Sequence, residues 1–165
     1  MSKAREEILS RVRAAHEKAR RMPIAHPGRY DTPAADSDAN IARFIDQVRA
    51  SGAELLRANH PPTLHEDVAV FDGVLGVAES GAIWVVPVDT DARQRLFLAE
   101  HVAIVVYERD VVGTLHEAYA RLTPFDMPFA CFVAGPSKTA DIEQTLVIGA
   151  HGPLALTVAL ISAQD

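Results

Sequence analysis

Leu154-Ala155-Leu156-Thr157-Val158-Ala159-Leu160-Ile161 decides the fold class. Both alternating sets of positions are almost wholly apolar, so a strand built from this run has no face to offer to water. Such a strand belongs inside a sheet covered on both sides, as in parallel or mixed sheets with helices packed against them. Upstream segments supply the rest of that sheet. Strand-like runs fall near Asp67–Phe71, Ile83–Val88, His101–Tyr107, Phe129–Ala134 and Thr145–Ile148. Helical stretches are predicted near Ala92–Ala99 and Val111–Leu122. Another helix comes before the strands, with Ser37 or Asp38 as its cap. Ile41, Phe44, Ile45 and Val48 form its core face and Gly52 its stop. Strands alternating with helices predict an α/β sheet with substantial parallel pairing.

The amino-terminal segment has a different character. From Lys3 to about Met22, Ile8, Val12, Ala15 and Ala19 recur at helical spacing, and Pro23 ends the helix. The stripe is narrow and poor in large side chains, so this helix packs on something outside its own domain or is loosely held. Residues 23–36 contain Pro23, Pro27, Gly28 and Pro33 and read as a linker. The chain therefore divides into a basic N-terminal helical arm with its linker, residues 1–29, and an α/β domain, residues 30–165.

Charge follows the same division. Residues 1–29 hold eight Lys/Arg against three Asp/Glu, a net of +5, and the remainder holds eight against nineteen, a net of −11. An acidic body argues against generic nucleic-acid binding. The basic arm is either a docking element for an acidic partner or membrane surface, or a solvated helix face. The 165 residues are 48% hydrophobic, which suits one globular domain. No run is apolar for long enough to span a bilayer, and the charged start is unlike a secretory signal. A single cysteine excludes an internal disulfide and, by itself, a Cys-ligated zinc or iron–sulfur site. Cys131 lies in Phe129-Ala130-Cys131-Phe132-Val133 and is expected to be a buried structural thiol rather than a nucleophile. A reducing cytoplasm is the expected location. The histidines form no H-x-x-x-H or H-E-x-x-H pattern, so no metal site is expected. Gly73-Val74-Leu75-Gly76 is too short for a dinucleotide loop.

The chemistry-bearing residues gather late in the chain, in Gly135-Pro136-Ser137-Lys138-Thr139-Ala140-Asp141-Ile142-Glu143-Gln144-Thr145 and Gly149-Ala150-His151-Gly152-Pro153. Gly135-Pro136 ends a strand abruptly, and Ser137 or Thr139 is expected to cap a short helix. A helix start offers free N–H groups and a partial positive charge to an anion, and Lys138 adds a full one. Asp141 and Glu143, two residues apart on a helix, diverge by about 200° and so do not form an acid–base pair. One faces a ligand or partner and the other completes the helix start. The loop is thus an anion or substrate site, or else a structural turn locking two strands. His151 sits in a tight connection, as a ligand or general base or as a plain surface histidine. Ser137, Asp141 and His151 name the parts of a hydrolytic triad, but Ser137 is occupied as a cap and no nucleophile elbow surrounds it.

GPSKTADIEQTLVIGAHGP, residues 135–153, resembles the signature of the lactate-utilisation (LUD-domain, DUF162) family, in its lactate-utilisation protein C branch. Ser2-Lys3-Ala4-Arg5-Glu6-Glu7-Ile8-Leu9 and Ala78-Glu79-Ser80-Gly81-Ala82-Ile83 are similar to that family too, so the resemblance spans most of the chain. It implies an α/β sheet flanked by helices, of the type shared by ribose-5-phosphate isomerases, CoA transferases and 5-formyltetrahydrofolate cyclo-ligases. It also implies a place in a cytoplasmic L-lactate-oxidising system whose other members carry iron–sulfur clusters. On this resemblance the chain is a non-redox subunit or accessory protein, not self-sufficient as an enzyme. It binds no cofactor of its own, and it holds a small carboxylate or docks its iron–sulfur partners. Lys138 would pair with the anion, and Ser137, Thr139 and Glu143 would complete the binding loop. Asp141 and His151 would orient the ligand or move a proton.

Glu79 stands in a turn similar to the one that carries the nucleophilic glutamate in acyl-CoA transferases of that fold. The Gly-rich CoA-binding run is missing, so a structural or substrate-orienting Glu79 is the stronger reading. The chain also departs from the family between Gly52-Ala53-Glu54-Leu55-Leu56 and Asp67-Val68-Ala69-Val70. About ten residues, including His60-Pro61-Pro62, stand there in place of an additional strand–helix stretch. Two alternatives remain. One is a stand-alone enzyme acting on a phosphorylated or CoA-linked substrate, for which few basic residues are present after residue 29. The other is an interaction module that works through its N-terminal helix.

Overall fold

The structure, a computed structural model, describes residues 6–7, 9–11, 37–122, 129–142, 145–148 and 152–162, with the backbone alone for 139–142 and 145–148. The chain forms two compact units, Met1–Thr32 and Pro33–Asp165. In the first, residues 6–7 and 9–11 are helical. Arg11 meets Glu7 one turn away at 3.3 Å, an exposed pair that adds little stability. The rest of the arm expected from Lys3 to Met22, and the linker 23–36, lie outside the described residues.

In the second unit the elements run α1 (Ser37–Ala50), β1 (Glu54–Ala58), β2 (Ala69–Val77), β3 (Ala82–Val85), α2 (Thr90–Leu98) and β4 (His101–Tyr107). A 3-10 turn (Glu108–Asp110), β5 (Val111–Val112), α3 (Leu115–Arg121), β6 (Cys131–Val133), β7 (Lys138–Ile142), β8 (Thr145–Ile148) and β9 (Ala155–Ile161) complete it. The main sheet has the order β1-β9-β4-β2-β3-β6, with β5 beside β2. Pairing is parallel from β1 through β9 and β4 to β2, and antiparallel from β2 to β3 and from β3 to β6. The expected α/β architecture therefore forms as a mixed sheet flanked by helices. β9, the segment that is apolar on both faces, lies between β1 and β4, where only such a sequence is tolerated.

The helices pack where the pattern requires. Phe44 and Val48 of α1 and Leu96 of α2 share one cluster with Val102, Ile104 and Val106 of β4 and with Leu156, Val158 and Leu160 of β9. The alternate residues Val105, Ala159 and Ile161 cluster on the reverse face. Ala118 of α3 closes a third cluster with Leu75, Val77, Trp84 and Val112. Trp84 and Phe132 meet there with ring centroids 4.6 Å apart. The turn from β2 to β3 presses flat against α1. Gly81 has φ 66°, and a Cβ there would lie 2.7 Å from the Val48 nitrogen. Only glycine fits both demands.

Several boundaries differ from expectation for identifiable reasons. No helix follows Gly135-Pro136; Lys138–Ile142 is a strand, paired antiparallel with Thr145–Ile148. Thr139, Ile142, Thr145, Val147 and Ile148 are β-branched, and the two-strand pairing satisfies their backbone groups better than a single helical turn would. Glu54–Ala58 is a strand that helix-favouring residues concealed. Of Asp67–Phe71 only Ala69–Phe71 is strand, and that strand continues to Val77, while Ile83–Val88 shortens to Ala82–Val85. Val111–Leu122 divides into β5 and α3. Thr114 caps α3 by accepting from the Glu117 N–H at 3.2 Å, while Glu117 reaches back to the Gly113 N–H at 3.0 Å. Phe129–Ala134 yields only the three-residue edge strand Cys131–Val133, which is half-buried rather than buried.

Candidate functional site

The end of α1 and the Gly135 turn are built against each other. Gly135 has φ 73°, and a Cβ there would come within 2.7 Å of the Ser51 carbonyl oxygen. That close approach brings the next residues into line. The Ser137 N–H donates to the Pro153 carbonyl at 2.9 Å, which ties the turn to the start of β9. Lys138 Nζ donates to the Ser51 carbonyl, at the carbonyl end of α1, where a cation is favoured by the helix dipole. Ser51 Oγ donates to the Val48 carbonyl at 2.6 Å.

Beside this junction opens a cleft of about 510 Å³. Leu96 and Phe97 of α2 and Cys131, Phe132 and Val133 of β6 line it. Ser51, the residues from Ala134 to Lys138, and Gly152-Pro153 line it as well. Phe97 is buttressed by Phe129, edge to face at 5.9 Å, and the Arg93 guanidinium lies over the Phe129 ring. The walls are mainly apolar, and Lys138 is the cationic residue among those that line them. Its amine keeps two N–H groups beyond the one held by Ser51. The Ser137 hydroxyl makes no hydrogen bond among the described residues. The arrangement can therefore hold an anionic head group at its rim and an apolar body along its wall.

Cys131 is among the residues that line the cleft. Burial pushes its pKa above the ordinary thiol value, so it remains protonated near neutrality and is a poor nucleophile. The thiol is half-buried, less enclosed than the sequence suggested.

The predicted site residues separate. Ser137 and Lys138 line the cleft together. Thr139 and Asp141 lie on β7, which leaves Lys138 along the same strand; their side chains, with Glu143 and His151, lie outside the described residues. Glu79 is elsewhere. Its carboxylate accepts the Leu115 N–H at 2.7 Å and so completes the start of α3. Sequence reasoning missed Ser51 and Phe97. Ser51 follows a helix with a legible stop, but nothing local says what meets that stop. Phe97 lies on a helix whose pattern marks its inner face and not its neighbours. Among the described residues, no group of three His, Cys, Asp or Glu could hold a metal ion, and no helix is long and apolar enough to cross a membrane.

A mixed α/β sheet flanked by helices, with a cleft beside the junction of a helix end and a lysine-bearing strand turn, defines an α/β domain. Residues 64–161, more than half of the chain, match the LUD domain. The chain belongs to the LUD-domain family, in its lactate-utilisation protein C branch. It is 28% identical to "Lactate utilization protein C" of Geobacillus thermodenitrificans, over 65% of this chain and 47% of that one. It is 26% identical to the protein of the same name from Oceanobacillus iheyensis, over 58% and 43%, and 30% identical to that from Shouchella clausii, over 53% and 41%. The match thus spans less than half the length of these curated relatives. A solved DUF162 family protein from Deinococcus radiodurans shares the fold, with a TM-score of 0.53 at 15% identity, covering 78% of this chain and 99% of that one.

Proposed function

We propose that this chain is a non-redox component of a lactate-utilisation system, acting beside iron–sulfur proteins by holding a small carboxylate or by docking those partners. The names of its curated relatives support the system. The single observation that carries the binding role is Lys138 at the rim of the cleft, beside Ser137. In this reading the Lys138 ammonium pairs with the carboxylate and Ser137 adds a hydrogen bond. Thr139, Asp141, Glu143 and His151 surround the same turn in sequence, and Asp141 or His151 orients the ligand or accepts a proton from it. The iron–sulfur clusters belong to the partners, since one cysteine cannot ligate them here.

The test is lactate-dependent reduction of an artificial electron acceptor by the reconstituted iron–sulfur partners, with and without this chain. Full activity is expected only with it, and a Lys138→Ala/Asp141→Ala double variant is expected to lower that activity about tenfold or more, as befits loss of a charge-assisted contact. Activity that does not depend on the chain would overturn the reading.

A further inference from the structure

We infer that the cleft receives the carboxyl end of a partner's polypeptide, laid as an added strand along the outer edge of β6 with its terminal carboxylate at Lys138. The inference rests on the reading that Lys138 holds a carboxylate, and it names the partner contact made at the same place. Cys131, Phe132, Val133 and Ala134 all line the cleft. Successive side chains of an extended chain point to opposite faces, so a cleft that meets four residues in a row meets them along the edge, where the backbone lies. One edge of β6 is taken, with Cys131, Phe132 and Val133 set opposite Val85, Trp84 and Ile83 of β3. β6 ends the strand order, and no other described strand pairs with its second edge. Such an edge presents backbone N–H and C=O groups at every second residue, and another extended chain satisfies them in the same rhythm. Lys138, five residues beyond Val133, lines the same cleft. Its Nζ donates to the Ser51 carbonyl and lies 3.0 Å from where a Cβ on Gly52 would stand, so the ammonium is held in one place. A free α-carboxylate complements that charge, and only the end of a chain carries one together with an extended backbone. A volume of about 510 Å³ is in the range that encloses ligands the size of a few residues. A small free acid, lactate included, takes the head-group position alone and therefore competes with the chain end.

The full chain, screened against a library of acetylated hexapeptides made both with a free carboxylate and as the amide, tests this. The tightest acids are then titrated by calorimetry, with lactate alongside. These acids are expected to bind about tenfold or more tightly than the matching amides. Lys138→Met is expected to bring an acid to the affinity of its amide and to leave the amide unchanged. Methylation of the peptide's backbone nitrogens, one at a time, is expected to weaken binding about two- to tenfold at alternate positions only, as strand pairing requires and a charge contact does not. Lactate is expected to displace the peptide from the unsubstituted chain. Acids and amides that bind alike, or methylation with no alternating effect, would overturn the inference. Lactate binding through Lys138 with no peptide bound would overturn it too and leave the carboxylate site standing. If neither binds, both readings fail.

Discussion

Gly135 shows how much can turn on one position. Its positive φ and its approach to the Ser51 carbonyl leave no room for a side chain, and the Ser137-Lys138 side of the cleft depends on that turn. Gly135→Ala is expected to lower stability by about 1–3 kcal/mol from backbone strain, read as a lower urea midpoint with an unchanged slope. Cys131 offers a probe of the same cleft. Only the thiolate reacts, and burial raises the pKa, so the alkylation rate should climb about tenfold per pH unit through neutrality and reach half its maximum at a higher pH than for a free cysteine. A midpoint at or below that pH would contradict the burial described here. Lys138 and Ser137 were legible as anion-binding candidates from their chemistry alone. The helix assigned to them was not real. Lys138 gains its position from the carbonyl end of α1, 87 residues away in sequence, rather than from a helix start of its own.

Among the elements, α3 carries the most dependence on specific contacts. Its first turn uses Thr114 for the Glu117 N–H and Glu79 for the Leu115 N–H. A helix of seven residues has little stability of its own, so these caps matter. Thr114→Ala is expected to lower stability by about 1 kcal/mol, measured by thermal or urea denaturation. The Thr-x-x-Glu spacing from Thr114 to Glu117 marks this start in the sequence, and beginning the helix at Val111 overlooked it. Glu79 resembled a nucleophile because its turn resembles one. Only the tertiary structure shows its carboxylate engaged with an N–H 36 residues on. β1 was hidden because Glu54, Leu55, Leu56, Arg57 and Ala58 all favour helix. Parallel pairing with β9 overrides that preference, setting Leu55 opposite Val158 and Leu56 opposite Ala159.

For the molecule as a whole, β9 is the keystone. It comes last in the chain yet pairs with β1 and β4, so the central sheet cannot close until most of the chain is present. A chain truncated after Gly152 is expected to lack a cooperative unfolding transition, because β1 would lose its parallel partner and β4 one of its two. Leu160 is fully buried between α1, α2 and the sheet. Leu160→Ala is expected to cost about 3 kcal/mol and lower Tm by roughly 6–12 °C. A shift of a degree or two would mean that β9 is not the packed centre. Thr157 adds a polar tie across the same strands, with its hydroxyl 2.8 Å from His101 Nε2 and 3.4 Å from Glu54 Oε2.

By itself the sequence determined the α/β class, the buried strands β4 and β9, the core face of α1 and the lysine-bearing turn. Each of these is written in local periodicity or in the chemistry of neighbouring residues, which survive without knowledge of the partners. Tertiary structure alone decided that β9 enters between β1 and β4, that Lys138–Ile142 is a strand, and that Ser51, Phe97 and Cys131 enclose one cleft with Ser137 and Lys138. Those outcomes depend on pairings and packing between segments dozens of residues apart, and local propensity yields when long-range contacts satisfy the backbone and bury more apolar surface.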